Sequence, residues 1–167
     1  LPPDRTVVAL RRGAVLGRDF DLSVLGALSD MDDENVIDAL EPAVVTGILV
    51  EPGPDHLRFS HDLVRETLYD ALPGMRRRRI HAAALEILAR RDPADPTVLA
   101  HHAIAAATPA TAEQCVQYVL VGARTAERQS SFKDAFALWA AAPGRCGKRA
   151  VEPSSRILLE ILIGQVG

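Results

Sequence analysis

Over 167 residues the apolar pattern leaves the period of a helix for that of a strand at only one place. Ile48 to Glu51 reads ILVE, Leu57 to His61 reads LRFSH, and Pro52 to His56 supplies PGPDH between them. Two short apolar runs around a Pro/Gly/Asp turn form a β-hairpin. A chain with one hairpin must build its core mainly from helices, and alanine, leucine, arginine and the acids, which dominate here, favour them.

The helices before the hairpin carry their own start and stop signals. Asp4 to Leu16 places Val7, Val8, Leu10, Ala14 and Val15 near one stripe and ends at Gly17. Asp21 is positioned to cap a short helix through Leu22, Leu25 and Leu28 to Ser29. Asp32 or Asp33 caps the next, with Val36, Ile37, Leu40 and Val44 on one face and Gly47 as the stop. Pro42 lies inside that helix and removes one amide bond, which predicts a kink. Three short helices followed by a hairpin make a winged-helix pattern, with the hairpin as the wing.

After the hairpin, Asp62 to Leu72 is amphipathic, with Leu63, Val64, Leu68 and Leu72 expected in the core. Pro73 and Gly74 break the chain, and a long helix follows from about Met75 to Arg91, with Ile80, Ala84, Ile87 and Leu88 inward. The run DPADP, Asp92 to Pro96, marks the domain boundary. It separates a winged-helix domain with its trailing helix, residues 1–91, from helical hairpins over residues 97–167. Those helices are expected at Thr97–Ala107, Thr111–Gln129, Phe132–Ala142 and Ser154–Gln165. Ala123, Ala126, Ala135 and Ala142 recur where helices pack closely, the signature of an incomplete TPR-like repeat region. Phe132, Phe136 and Trp139, at i, i+4 and i+7, read as a core stripe of one helix.

Composition removes several function classes. A net charge of −3 gives no global attraction to nucleic acid or an anionic membrane. No apolar run approaches the roughly 20 residues of a membrane span, and nothing resembles a signal peptide. Cys115 and Cys146 stand far apart without a C-x-x-C pairing, which reads as a reduced, cytoplasmic protein whose thiols are packing residues or surface bystanders. Adjacent His101 and His102 point about 100° apart on a helix and, with His81, make no metal set. No metal site is expected.

The stretches RRGAVLGRDFDLSVLGALSDMDDENVIDALEPAVVTGILVE and LRFSHDLVRETLYDALPGMRRRRIHAAALEIL together resemble one known arrangement. It is the winged-helix segment behind the nucleotide-binding module of bacterial STAND-class signalling NTPases, including LuxR-type and antibiotic-pathway regulators. VLAHHAIAAATPATAEQCVQYVLVGARTAERQSSFKDAFALWAAAP is similar to the start of the TPR-like sensor array that follows in that family. The resemblance implies ATP or ADP in the intact protein, an NTPase domain of the same chain as partner, and a protein or small-molecule effector on the repeats. No G-x-x-x-x-G-K-[ST] occurs, and the two glycines of GAVLGRD have no lysine beside them. This segment is therefore expected to hold no cofactor of its own and not to be an enzyme.

His61 and Asp62 are the candidate site. One reading is structural: Ser60 or Asp62 caps the following helix, Asp62 favours its dipole, and His61 fills the turn. The other uses the same end of the helix, where unpaired amides, a partial positive charge and an imidazole suit a phosphate. In relatives with the motif Met-His-Asp, the matching histidine touches the terminal phosphate of ADP. Here FSHDLV keeps the pair and has Ser60 in place of the methionine.

Two further features bear on nucleic acid. Ser29 to Glu41, over the expected recognition helix, holds six acids and no base, so it repels a phosphate backbone and direct DNA contact is not expected. Arg76, Arg77, Arg78 and Arg79 spread around a helix and either pair with Glu66, Asp70 and Glu86 or dock an acidic partner. The expected function is thus a regulatory and sensor segment of an ATP-dependent transcriptional regulator. The alternatives are a stand-alone helical interaction module and, with less support, a DNA-binding winged helix.

Overall fold

Three aspartates set the register of the first helices. In a computed structural model, which describes residues 4–145 of the chain, Asp4, Asp21 and Asp32 each accept a backbone N–H two or three residues ahead. Each bond satisfies an amide that a helix start leaves without a partner. The helices so begun are α1 (Arg5–Leu16), α2 (Leu22–Ser29) and α3 (Asp33–Val45). α1 ends at Gly17, and α3 runs on through Pro42, with Gly47 at φ +74° beyond its end.

The chain divides into two compact units, Leu1–Ile87 and Leu88–Gly167. In the first, a short strand β1 (Asp19–Asp21) lies between α1 and α2, and β2 (Leu49–Gly53) and β3 (His56–Phe59) follow α3. The three form an antiparallel sheet in the order β1-β3-β2. The sequence led us to expect the hairpin alone, and β1 is the correction. Its register pairs Phe20 with Leu57, and Leu49 pairs with Phe59 on the other edge. Pro52 falls in β2, an edge strand, where a missing ladder donor is tolerated.

Alternation along β3 turns Leu57 and Phe59 to the core and leaves His56 and Arg58 exposed. The core joins them to Leu10, Ala14, Phe20, Leu25, Val36 and Leu40. Phe20 and Phe59 pack with ring centroids 5.7 Å apart. α4 (Asp62–Asp70) adds Val64, Leu68 and Tyr69 to the margin of this core. Ile37 and Leu63 depart from expectation: both are largely exposed, at 51% and 74%. Periodicity places each on the apolar face of its helix, and among the described residues no element covers that part of the face.

α5 (Gly74–Ala89) buries His81 and Ala84, while Ile80, Ile87 and Leu88 are only half-buried. Tyr69 Oη lies 3.0 Å from His81 Nε2, so the imidazole is buried as a hydrogen-bonded group. Arg77 stacks 4.9 Å from the Tyr69 ring centroid and donates to Asp70 at 2.9 Å.

The second unit is helical among the described residues: α6 (Pro96–Ala106), a 3-10 turn at Pro109–Thr111, α7 (Ala112–Arg128) and α8 (Phe132–Arg145). The helix expected at Ser154–Gln165 lies outside them. Asp95 caps α6 through Thr97 and Val98. Ala123, Ala126, Ala135 and Ala142 are all buried, as are Leu138 and Trp139, whose indole donates to Glu127. Phe132 and Phe136 are not core: they are 60% and 38% exposed. Cys115 is buried and disulfide-bonded, against the expectation of free thiols. Mainly helical architecture with one small antiparallel sheet is the result.

At Gly122, α6 and α7 pack backbone against backbone. A Cβ there would lie 2.7 Å from both the Pro96 carbonyl oxygen and the Ala100 Cβ. Gly122→Ala is expected to lower stability by about 1–2 kcal/mol, because the clash outweighs the roughly 1 kcal/mol helix-propensity gain. Gly74→Ala, with nothing within 4 Å of its new methyl group, should be neutral or stabilising. Thermal denaturation of both variants reads the opposite signs.

Candidate functional site

The α4 helix starts where β3 ends, and this junction carries the histidine singled out by the sequence. Phe59 is fully buried and holds the strand end in the core. Ser60 then donates its hydroxyl to the Gly47 carbonyl at 2.5 Å and approaches that of Ile48 at 3.2 Å. That engagement takes Ser60 out of the capping role considered for it. His61 itself is the N-cap residue, in extended backbone, and no side chain caps the helix. Asp62 sits in the first turn, where its charge favours the helix dipole, but it does not bond the amides either.

Asp62 instead faces Arg18, whose Nη1 lies 3.3 Å from its Oδ2. Both side chains are about half exposed, so the pair contributes little stability and is easily exchanged. Arg18 also offers its backbone carbonyl to Phe59 N–H at 2.9 Å, which ties the chain before β1 to the strand end before α4. Next to it, Arg58 donates to Asp19 across the β1–β3 pair.

The result is an exposed imidazole at an uncapped helix start, with one guanidinium beside it on an exposed, exchangeable carboxylate. Chemically it can accept an anion: α4 supplies amide donors, His61 a ring N–H and Arg18 a full positive charge. It holds no nucleophile paired with a base. Arg18 is the member that sequence reading missed. Its partner is 44 residues away, and the short strand that brings the two together gave no periodic signal.

The four arginines of α5 divide. Arg77 is taken up by Asp70 and Tyr69. Arg76, Arg78 and Arg79 are exposed and make no ion pair with Glu66 or Glu86 among the described residues. They lie on a different helix from His61, and no contact joins them to it among the described residues.

No group of three metal-ligating side chains occurs among the described residues, and no described helix is long and apolar enough to cross a membrane. No protein-family model, curated protein or solved structure matches this chain.

The two histidines of α6 separate as the helix angle requires: His101 is exposed and His102 is 3% exposed. Burial, with a smaller contribution from the neighbouring His101 charge, lowers the His102 pKa from 6.5 to about 4. The neutral ring is therefore favoured in the folded chain. Its contribution to stability is present above pH 6.5 and is lost as pH falls through about 4, where the unfolded chain has already taken up the proton. The loss should reach roughly 3 kcal/mol by the end of that window. Urea titrations between pH 7.5 and 4 should show a slope in this range that His102→Gln flattens.

Proposed function

We propose that this chain is the regulatory segment of an ATP-switched signalling NTPase, in which a winged-helix unit senses bound nucleotide and TPR-like helices receive an effector. The observation that carries the reading is the uncapped start of α4, with His61 exposed at the N-cap position and Arg18 paired with the next residue, Asp62. Amides, imidazole and guanidinium together suit the terminal phosphate of ADP, as the resemblance to STAND-class regulators implies. The element order α1-β1-α2-α3-β2-β3 supports the winged-helix reading. Close packing of small residues between α6, α7 and α8 supports the repeat reading.

In this reading the chain is not itself an enzyme, and the ATP site belongs to an NTPase domain elsewhere in the same protein. Arg76, Arg78 and Arg79 remain available for docking an acidic surface of that domain. The exposed side of α3 carries Asp33, Glu34, Asp38 and Glu41, which opposes contact with a DNA backbone. A second reading, a free-standing interaction module, is favoured by one feature: the exposed Phe132 and Phe136 on α8.

His61 contacts the resting, ADP-bound state and not the open one, so losing it shifts the balance between them. His61→Ala in the intact protein should weaken the closed state by about 1–3 kcal/mol, the range for a lost hydrogen bond to a charged group. ADP release, followed with a fluorescent analogue, should quicken by about fivefold or more, with higher output in the absence of inducer. Because His61 makes no core contact, the variant should melt like the parent. A folded variant that exchanges ADP at the parental rate would reduce His61 to a turn residue.

A further inference from the structure

On the side of the first unit formed by α1 and the α2–α3 junction, a cleft of about 360 Å³ opens between one face of α1 and the segment Ser29–Asn35. Its size falls in the range of small-molecule sites, roughly 300–1,000 Å³. Arg5, Val8, Ala9 and Arg12 form one wall. Their spacing of i, i+3, i+4 and i+7 puts all four on one helix face, with the two arginines two turns apart. Ser29, Asp30, Met31 and Asp32 stand opposite.

The charges in this cleft do not neutralise one another. Arg5, Arg12 and the Asp30 carboxylate make no ion pair or hydrogen bond among the described residues. Asp30 is held at φ +53° as the left-handed end of α2, its amide bonded to Gly26, so its carboxylate plays no capping part. Asp32 is different, since one of its oxygens is taken up by Asn35. Ser29 lines the cleft, and its Oγ is buried without a hydrogen-bond partner. A buried hydroxyl with no partner costs free energy unless a ligand or water meets it.

Cations with Val8 and Ala9 on one wall, and a carboxylate with Met31 on the other, define a complementary molecule. We propose that this cleft binds a small zwitterion of the amino-acid or short-peptide class, with its carboxylate on Arg5 or Arg12 and its ammonium on Asp30. The side chain of the ligand rests on Val8, Ala9 and Met31. A phosphate or another purely anionic ligand fits less well, because Asp30 and Asp32 face it across the gap. The site is independent of the nucleotide reading, using none of the residues around His61.

The test uses the 167-residue chain and leucyl-alanine as probe, in calorimetric titration at low salt. Saturable binding of the free dipeptide is expected, and N-acetylation or C-terminal amidation should each weaken it by about tenfold or more, the effect of losing one charge-assisted hydrogen bond. Arg12→Gln and Asp30→Asn should do the same. Both positions are at the surface of the cleft, and asparagine tolerates the left-handed backbone that Asp30 adopts, so the fold is retained. No saturable heat up to roughly 10 mM probe overturns the proposal, since weaker association has no place in recognition. So does undiminished binding of the acetylated or amidated peptide, or inorganic phosphate binding as tightly as the dipeptide.

Discussion

Phe59 depends on a space that only a glycine leaves. It is completely buried, with the Phe20 ring against it, and the Phe20 ring in turn reaches α1 at Gly13. A Cβ at Gly13 would stand 2.9 Å from the tip of that ring. Only seven of the 167 residues are aromatic, so this pair is a large share of the bulky apolar material available to the first unit. By holding Phe20 beside Leu57 and Phe59, the contact keeps β1 on the sheet. β1 in turn places Arg18 next to the start of α4. The geometry around His61 thus rests on a contact in the core rather than on any bond that His61 makes.

Local signals were legible in the sequence and distant ones were not. Asp4, Asp21 and Asp32 act over two or three residues, so the starts of α1, α2 and α3 could be read directly, as could the stop at Gly17. The hairpin was visible for the same reason. β1 was not, because Asp19-Phe20-Asp21 has a single apolar residue and its partner strand begins 35 residues later. Periodicity identified which residues share a helix face but not whether anything lies over that face. Ile37, Leu63, Phe132 and Phe136 share the apolar stripes of their helices and are nonetheless exposed.

The candidate site shows the same division. The position of His61 at the head of an amphipathic helix is a local property, and the structure has it there. Its surroundings are assembled from residues far apart in the chain. Ser60 was available as a cap by its chemistry, yet it turns to the carbonyls of Gly47 and Ile48 because the end of β3 lies alongside the chain that leads into β2. Arg77 likewise differs from its three neighbours only because Tyr69 and Asp70 stand within its reach.

The close approach at Gly122 has a consequence for how the two units can vary. An aspartate cap at the surface can be exchanged for serine, asparagine or threonine, each keeping an acceptor, so the first unit's helix starts admit graded change. The α6–α7 contact admits none, since the neighbour of Gly122 is a backbone oxygen that cannot rotate away. Any larger residue there must push the two backbones apart. Drift in sequence can therefore adjust the helix starts of either unit by small steps, whereas Gly26 in the first and Gly122 in the second, each facing a backbone oxygen within 3 Å of a new Cβ, change only with the backbone itself.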